Sequence, residues 1–402
     1  MHVEPGEFAD RYWGRTFLHS TVRDLAAAGR IPGYADLLSP DDVDELLSRR
    51  GLRTPFLRIA RDGKVLPKRE FTGPGGAGAE IADQVIDEKV LDQYAEGATL
   101  VLQGLHRLWP PLIDFAGDLS TELAAPVGVN AYATPPASRG FATHYDTHGV
   151  FVLQIAGRKR WRVHEPTLPD PLERQPSGGR ADEVAAVADS PAVHDVILDR
   201  GDSLYLPRGW PHSAEALGEP SLHLTLGVRA MNRYTVVESL LQLAGNEAVL
   251  RSGFPLGLDV TDPNQLAPHL ETTVEALSCW LAGIDAEDVA AQLRERAWPA
   301  TRPAPIRPLA QTAAMADLDG DTVIALRRGL RWRITAGSPD TVTVHLVDRT
   351  ITIPASCEPA LKALLAAPSM RIGNLPGLAA ADQLTFARRM LREAVVTPPE
   401  KR

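Results

Sequence analysis

The chain has 402 residues, 44% of them hydrophobic and 23% charged, with a formal net charge of −9. That length supports two or three domains with real apolar cores, and the composition excludes an intrinsically disordered or collagen-like chain. No apolar run approaches the ~20 residues that span a bilayer, and two cysteines, Cys279 and Cys357, make neither a CxxC pair nor a disulfide framework.

Charge is unevenly spread. Residues 301–402 carry 14 Lys and Arg against 9 Asp and Glu, whereas residues 1–300 carry 28 against 42. An acidic front portion favours a basic partner over a nucleic-acid backbone. The start, MHVEPGEFADRYWGR, lacks an apolar signal core, so a cytoplasmic protein with no membrane association and buried, inert thiols is expected.

Residues 7–50 read as helical, with Ser39 as the cap and Pro40 as the first residue of one helix. TPFLRIA (54–60) reads as a strand, GPGGAGAE as a loop without GxGxxG spacing, 87–95 as a helix and ATLVLQGL (98–105) as a buried strand. From 126 to 228 the pattern turns to short strands: VGVNAYA, VFVLQI, KRWRVH, VILD, SLYLP, HSAEA and SLHLTLGV. Short strands punctuated by Gly and Pro turns predict a barrel or jelly roll. Residues 174–190 read as a polar, Ala-rich insertion. YTVVESLLQLAGNEAVL and ETTVEALSCWLAGI carry helical spacing, the Pro-rich 298–308 reads as a linker, and four short strands and two helices follow it.

One constellation carries chemistry. In an extended strand His144 and Asp146 share a face. His212, after the Pro-Arg-Gly turn of GDSLYLPRGWPHSAEA, offers a third ligand on a strand that can return beside the first. Two imidazoles and one carboxylate leave open positions suited to non-haem Fe(II), although zinc takes the same residue types. HxD alone is a weak signal, and its position between barrel strands is what raises it. A 2-oxoglutarate co-substrate also needs a cation. Alternation puts Lys159 and Trp161 on one face and Arg158 and Arg160 on the other, so Lys159 is the candidate.

These residues resemble the JmjC 2-oxoglutarate oxygenases, in particular the ribosomal-protein oxygenases (hydroxylases). The resembling segments are NAYATPPASRGFATHYDTHGVFVLQIAGRKRWRVHEP (130–166) and GDSLYLPRGWPHSAEA (201–216). The resemblance implies a mainly β fold with α: a double-stranded β-helix, or cupin/JmjC jelly roll, with N-terminal helices at 1–230. It further implies a helical dimerisation segment at 231–298 and a winged-helix-like domain at 308–398. His144, Asp146 and His212 would ligate Fe(II), Lys159 and Asn130 would bind 2-oxoglutarate, and Tyr132 and Ser221 would meet the substrate. That substrate would be a protein, a basic ribosomal protein hydroxylated on Arg or His, and the enzyme a homodimer. Competing readings are the same chemistry on a biosynthetic peptide or small molecule, and a metal-binding cupin or nucleic-acid-binding regulator without oxygenase activity. The 174–190 insertion departs from the family pattern and puts substrate identity in doubt.

Overall fold

A computed structural model describes residues 1–30, 33–336 and 338–399. The chain divides into two compact units, Met1–Ala230 and Met231–Arg402.

Among the described residues the first unit holds six α-helices: α1 (Pro5–Arg11), α2 (Val22–Ala27), α3 (Pro40–Arg49), α4 (Asp87–Ala95), α5 (Pro110–Glu122) and α6 (Ala181–Ala188). Its strands are β1 (Leu18–Ser20), β2 (Leu57–Arg61), β3 (Lys64–Val65), β4 (Thr72–Gly73), β5 (Gln84–Val85), β6 (Thr99–Leu102), β7 (Val127–Thr134) and β8 (Gly149–Ala156). They continue as β9 (Lys159–Val163), β10 (His194–Leu198), β11 (Ser203–Leu206), β12 (His212–Ala216) and β13 (Ser221–Val228). An eight-stranded sheet runs β1-β11-β8-β13-β7-β6-β2-β3, and a three-stranded sheet runs β10-β9-β12.

Alternation explains how these sheets bury their faces. On β7, Val127, Val129 and Ala131 join Leu222, Leu224 and Leu226 of β13 in an apolar layer that also takes Val43, Leu46 and Leu47 of α3, Val90 of α4 and Leu112 of α5. Each fully buried Leu or Val there contributes about 1.5–3 kcal/mol relative to exposure. The opposite face of the sheet meets the smaller sheet through Val150, Val152, Trp161, Val163, Leu198, Leu204 and Leu206. As a central strand covered on both faces, β13 is buried along nearly its whole length. Helix α3 starts as expected: Ser39 and Asp42 form a capping box, with Pro40 opening the helix.

The structure corrects several expectations. Residues 7–50 are not helical throughout, because Leu18–Ser20 pairs as a strand with β11. The 174–190 insertion contains α6. Neither thiol is fully buried, Cys279 being exposed and Cys357 half-buried.

The second unit begins with α7 (Arg233–Ala244), α8 (Pro263–Ala282) and α9 (Ala286–Ala300). Helix α9 runs through Pro299, so the start of the expected linker is helical. Then come α10 (Pro308–Ala314), β14 (Val323–Leu326), β15 (Arg333–Ala336), β16 (Thr341–His345), β17 (Thr350–Pro354), α11 (Glu358–Ala366), β18 (Ser369–Arg371), α12 (Ala380–Arg392) and β19 (Val396–Thr397). Two three-stranded sheets, β18-β14-β19 and β15-β16-β17, share a core with α11 and α12 built on Ile324, Val344, Ile351, Leu361, Leu364, Phe386 and Met390. Among the described residues no helix is long and apolar enough to cross a membrane.

Candidate metal centre

The site lies between the eight-stranded sheet and the β10-β9-β12 sheet of the first unit. His144 and His212 are joined by an isolated antiparallel bridge, with His144 N donating to His212 O at 3.1 Å and His212 N to His144 O at 2.8 Å. This bridge sits just before β8, so His144 and Asp146 are not part of a regular strand, contrary to the sequence expectation. Tertiary pairing, not strand periodicity, brings the side chains together. Gly209 N fastens the Pro-Arg-Gly turn by donating to Asp146 O at 2.8 Å. Its φ of +85° and a Leu168 carbonyl 2.7 Å from any added Cβ leave room only for glycine.

His144, Asp146 and His212 each offer a ligand atom within 4.8 Å of the others, the one such group of three or more among the described residues. Nδ1 of His144 lies 2.9 Å from Ala142 O, and Nδ1 of His212 lies 3.0 Å from Trp210 O. A carbonyl only accepts, so each Nδ1 carries the proton and each Nε2 presents its lone pair, the tautomer a metal needs. Burial first, and then the neighbouring His144, depress the His212 pKa to about 4, which keeps its ring neutral. The donor set therefore fits a divalent ion with open positions.

Lys159 opens β9 after the Gly157 turn, in register with Leu198 on one side and Ala216 on the other. It is 3% exposed. Its Nζ donates to Thr134 Oγ1 at 2.9 Å and lies 3.4 Å from Nδ1 of His223. No carboxylate is paired with it among the described residues, and burial drops its pKa to about 7. A buried cation with a hydroxyl and an imidazole for company fits the carboxylate end of an acidic ligand. The alternation read from the sequence holds: Arg160 and Arg162 turn outward to Asp195, while Trp161 joins Lys159 inside.

The cavity around the three ligands is lined by Tyr132, Lys159, Trp161, His223 and Thr225 among others. Tyr132 stacks on His223 with ring centroids 4.8 Å apart and planes 5° from parallel. Its phenol is pushed up to about 12, by burial first and then by the Asp146 carboxylate. Asn130 lies on the same face of β7, but its Oδ1 accepts from Gly104 N at 3.0 Å; its cross-strand partner Thr225 lines the cavity instead. Ser221 is not among the lining residues. Its buried hydroxyl accepts from Gln154 Nε2 at 2.9 Å. Sequence reasoning missed Thr134 altogether. The signal was available, since alternation along β7 puts Thr134 on the face of Asn130 and Tyr132.

A jelly roll with two imidazoles and a carboxylate converging at the mouth of its small sheet defines a cupin-type metal-site protein. The JmjC-domain profile matches residues 115–236, which contain all three ligands. Residues 115–236 are thus similar to a JmjC domain, and the proteins that the chain resembles include ribosomal oxygenases. It is 35% identical over 243 residues to the bifunctional lysine-specific demethylase and histidyl-hydroxylase NO66 of Drosophila erecta, covering 56% of this chain and 33% of that protein. It is 31% identical over 259 residues to ribosomal oxygenase 1 of Gallus gallus, covering 63% of this chain and 40% of that protein. The chain thus spans well under half the length of these two relatives. The structure of YcfD, a ribosomal oxygenase from Escherichia coli, in complex with cobalt and 2-oxoglutarate shares the fold, with a TM-score of 0.52, 19% identity and 98% coverage of both chains.

Proposed function

We propose that the chain is an Fe(II)- and 2-oxoglutarate-dependent oxygenase that hydroxylates an Arg or His side chain of a ribosomal protein. The observation that carries this reading is the pairing of an open His-Asp-His donor set with a buried, carboxylate-free Lys159 in one cavity. His144, Asp146 and His212 would hold the iron. Lys159, steadied by Thr134, would bind the distal carboxylate of 2-oxoglutarate. With both bound, the chemistry supplied would be insertion of one atom of O2 into a C–H bond, the other atom entering succinate as 2-oxoglutarate loses CO2.

The protein's part is placement. The carbonyls of Ala142 and Trp210 fix the two imidazoles, and Tyr132, Trp161 and His223 wall the cavity against water. Asn130 would help position the co-substrate only indirectly, by ordering the start of the Gly104 turn. Tyr132 stands where a substrate side chain would enter, whereas Ser221, bonded to Gln154 and outside the cavity lining, is assigned no contact with the substrate. The acidic balance of residues 1–300 favours a basic substrate.

The proposal extends to a cytoplasmic homodimer formed through 231–298, with a winged-helix-like domain at 308–398 that does not bind nucleic acid. Val237 and Leu241 on α7 and Leu270 and Val274 on α8 are exposed, which supports a covered face in the assembly. Light scattering at twice the chain mass bears this out, and a single-chain mass refutes it.

The deciding experiment is succinate release by the iron-loaded protein, screened against ribosomal proteins and against candidate peptides and small molecules, with the modified atom mapped by mass spectrometry. A +16 product on a ribosomal protein, lost in His144→Ala, is expected. Turnover confined to a small molecule overturns the substrate assignment.

A further inference from the structure

A cavity of about 510 Å³ in the first unit lies apart from the metal centre. It lies on the outer side of the eight-stranded sheet, between that sheet and helices α3 and α4. Leu47, Val90, Leu100, Ala133 and Leu222 give it apolar walls. Leu91, 65% exposed, stands among its lining residues and presents an apolar side chain to water. A cavity of a few hundred Å³ with apolar walls and a few polar groups is the ordinary anatomy of a small-molecule site.

Its charge is one-sided. Asp44, Asp87 and Glu88 line it, and no Lys or Arg does. All three are exposed, and none makes a hydrogen bond or ion pair among the described residues. Asp87 and Glu88 sit in the first turn of α4, where the helix N-terminus offsets part of their charge. Asp44 sits mid-helix in α3 and has no such offset. Tyr94 also lines the cavity, and its hydroxyl has no hydrogen-bond partner among the described residues. Asp44 acts on that phenol, whose pKa is raised by burial first and by the Asp44 charge second.

We infer that this cavity is a second ligand site, for a small amphipathic cation: an apolar chain or ring inside, and an amine or guanidinium head held by Asp44 and Glu88. An ammonium there balances the carboxylate charge and donates to the Tyr94 oxygen, while its apolar part covers Leu91 and the apolar walls. The site is independent of the oxygenase reading. It shares only the sheet, since Ala133 and Leu222 are the chain neighbours of Tyr132 and His223 on the reverse face.

The test is calorimetric titration of the full chain with n-octylammonium and, separately, with n-octanol, both as monomers in low salt. The amine is expected to bind saturably at one site and about fivefold or more tighter than the alcohol, the preference two or three exposed charge contacts supply. Asp44→Asn combined with Glu88→Gln should bring the amine down to the alcohol's affinity with the melting curve unchanged. Leu91→Trp, at the exposed rim, should weaken both probes. Absence of saturable amine binding, equal affinity for both probes, or amine binding unaltered in both variants overturns the inference.

Discussion

Lys159 and Thr134 meet inside the jelly roll, the ammonium donating to the hydroxyl at 2.9 Å with no carboxylate to balance it. The first residue of β9 and the last of β7 thereby build a socket for negative charge. Burial holds the lysine pKa at about 7.

This sets a pH dependence for co-substrate binding. The free lysine loses its proton above pH 7, whereas a bound carboxylate keeps it charged. Binding above that pH must therefore take up a proton, and the affinity of the Mn(II)-loaded protein for 2-oxoglutarate should fall about tenfold per pH unit from 7 to 9. Calorimetry in buffers of differing ionisation enthalpy counts the proton directly. A flat affinity profile would count against the socket.

The same group burdens the free protein. A lysine whose folded pKa lies below its unfolded 10.5 binds fewer protons folded than unfolded. Stability therefore rises with pH between about 7 and 10.5, and the full penalty, on the order of 5 kcal/mol, is present below 7. Lys159→Met should raise the urea midpoint of the metal-free protein at pH 6.5 while abolishing 2-oxoglutarate binding. A destabilised variant would show that the ammonium is better compensated than its neighbours indicate.

His212, the first residue of β12, is the buried member of the ligand set. His212→Ala removes one of three donors, and Co(II) affinity, followed through the visible absorption of the bound ion, should drop by more than about 100-fold. Far-ultraviolet circular dichroism should be unchanged, because the bridge to His144 uses backbone atoms only. Undiminished Co(II) binding would exclude His212 from the metal site.

The turn that delivers Lys159 rests on Gly157, at φ +62° with Pro220 O only 2.0 Å from where a Cβ would sit. Gly157→Ala should cost at least about 2 kcal/mol, since backbone strain adds to the overlap. Gly29→Ala, at φ +69° with nothing within 4 Å, should cost only about 1 kcal/mol. Chemical denaturation of the pair separates overlap from left-handed strain, and equal losses would refute the contact.

Local chemistry by itself determined a good deal of this protein. The Ser39–Asp42 cap, the alternation that turns Lys159 and Trp161 inward, and the short strands of a jelly roll all follow from interactions within a few residues. The convergence of His144, Asp146 and His212 was legible from an HxD lying between predicted barrel strands with a matched later His, not from the residue types alone. What only the tertiary structure decided depends on groups distant in the chain. The His144–His212 bridge stands in for the regular strand expected there, Leu18–Ser20 joins β11 and not a helix, and Ser221 turns to Gln154 away from the metal cavity. The cavity under α3 and α4 belongs here too, since its acidic rim and leucine walls come from segments that meet only when helices pack on a sheet. Periodicity tells which face a residue takes, but which partner lies across that face is set by long-range packing.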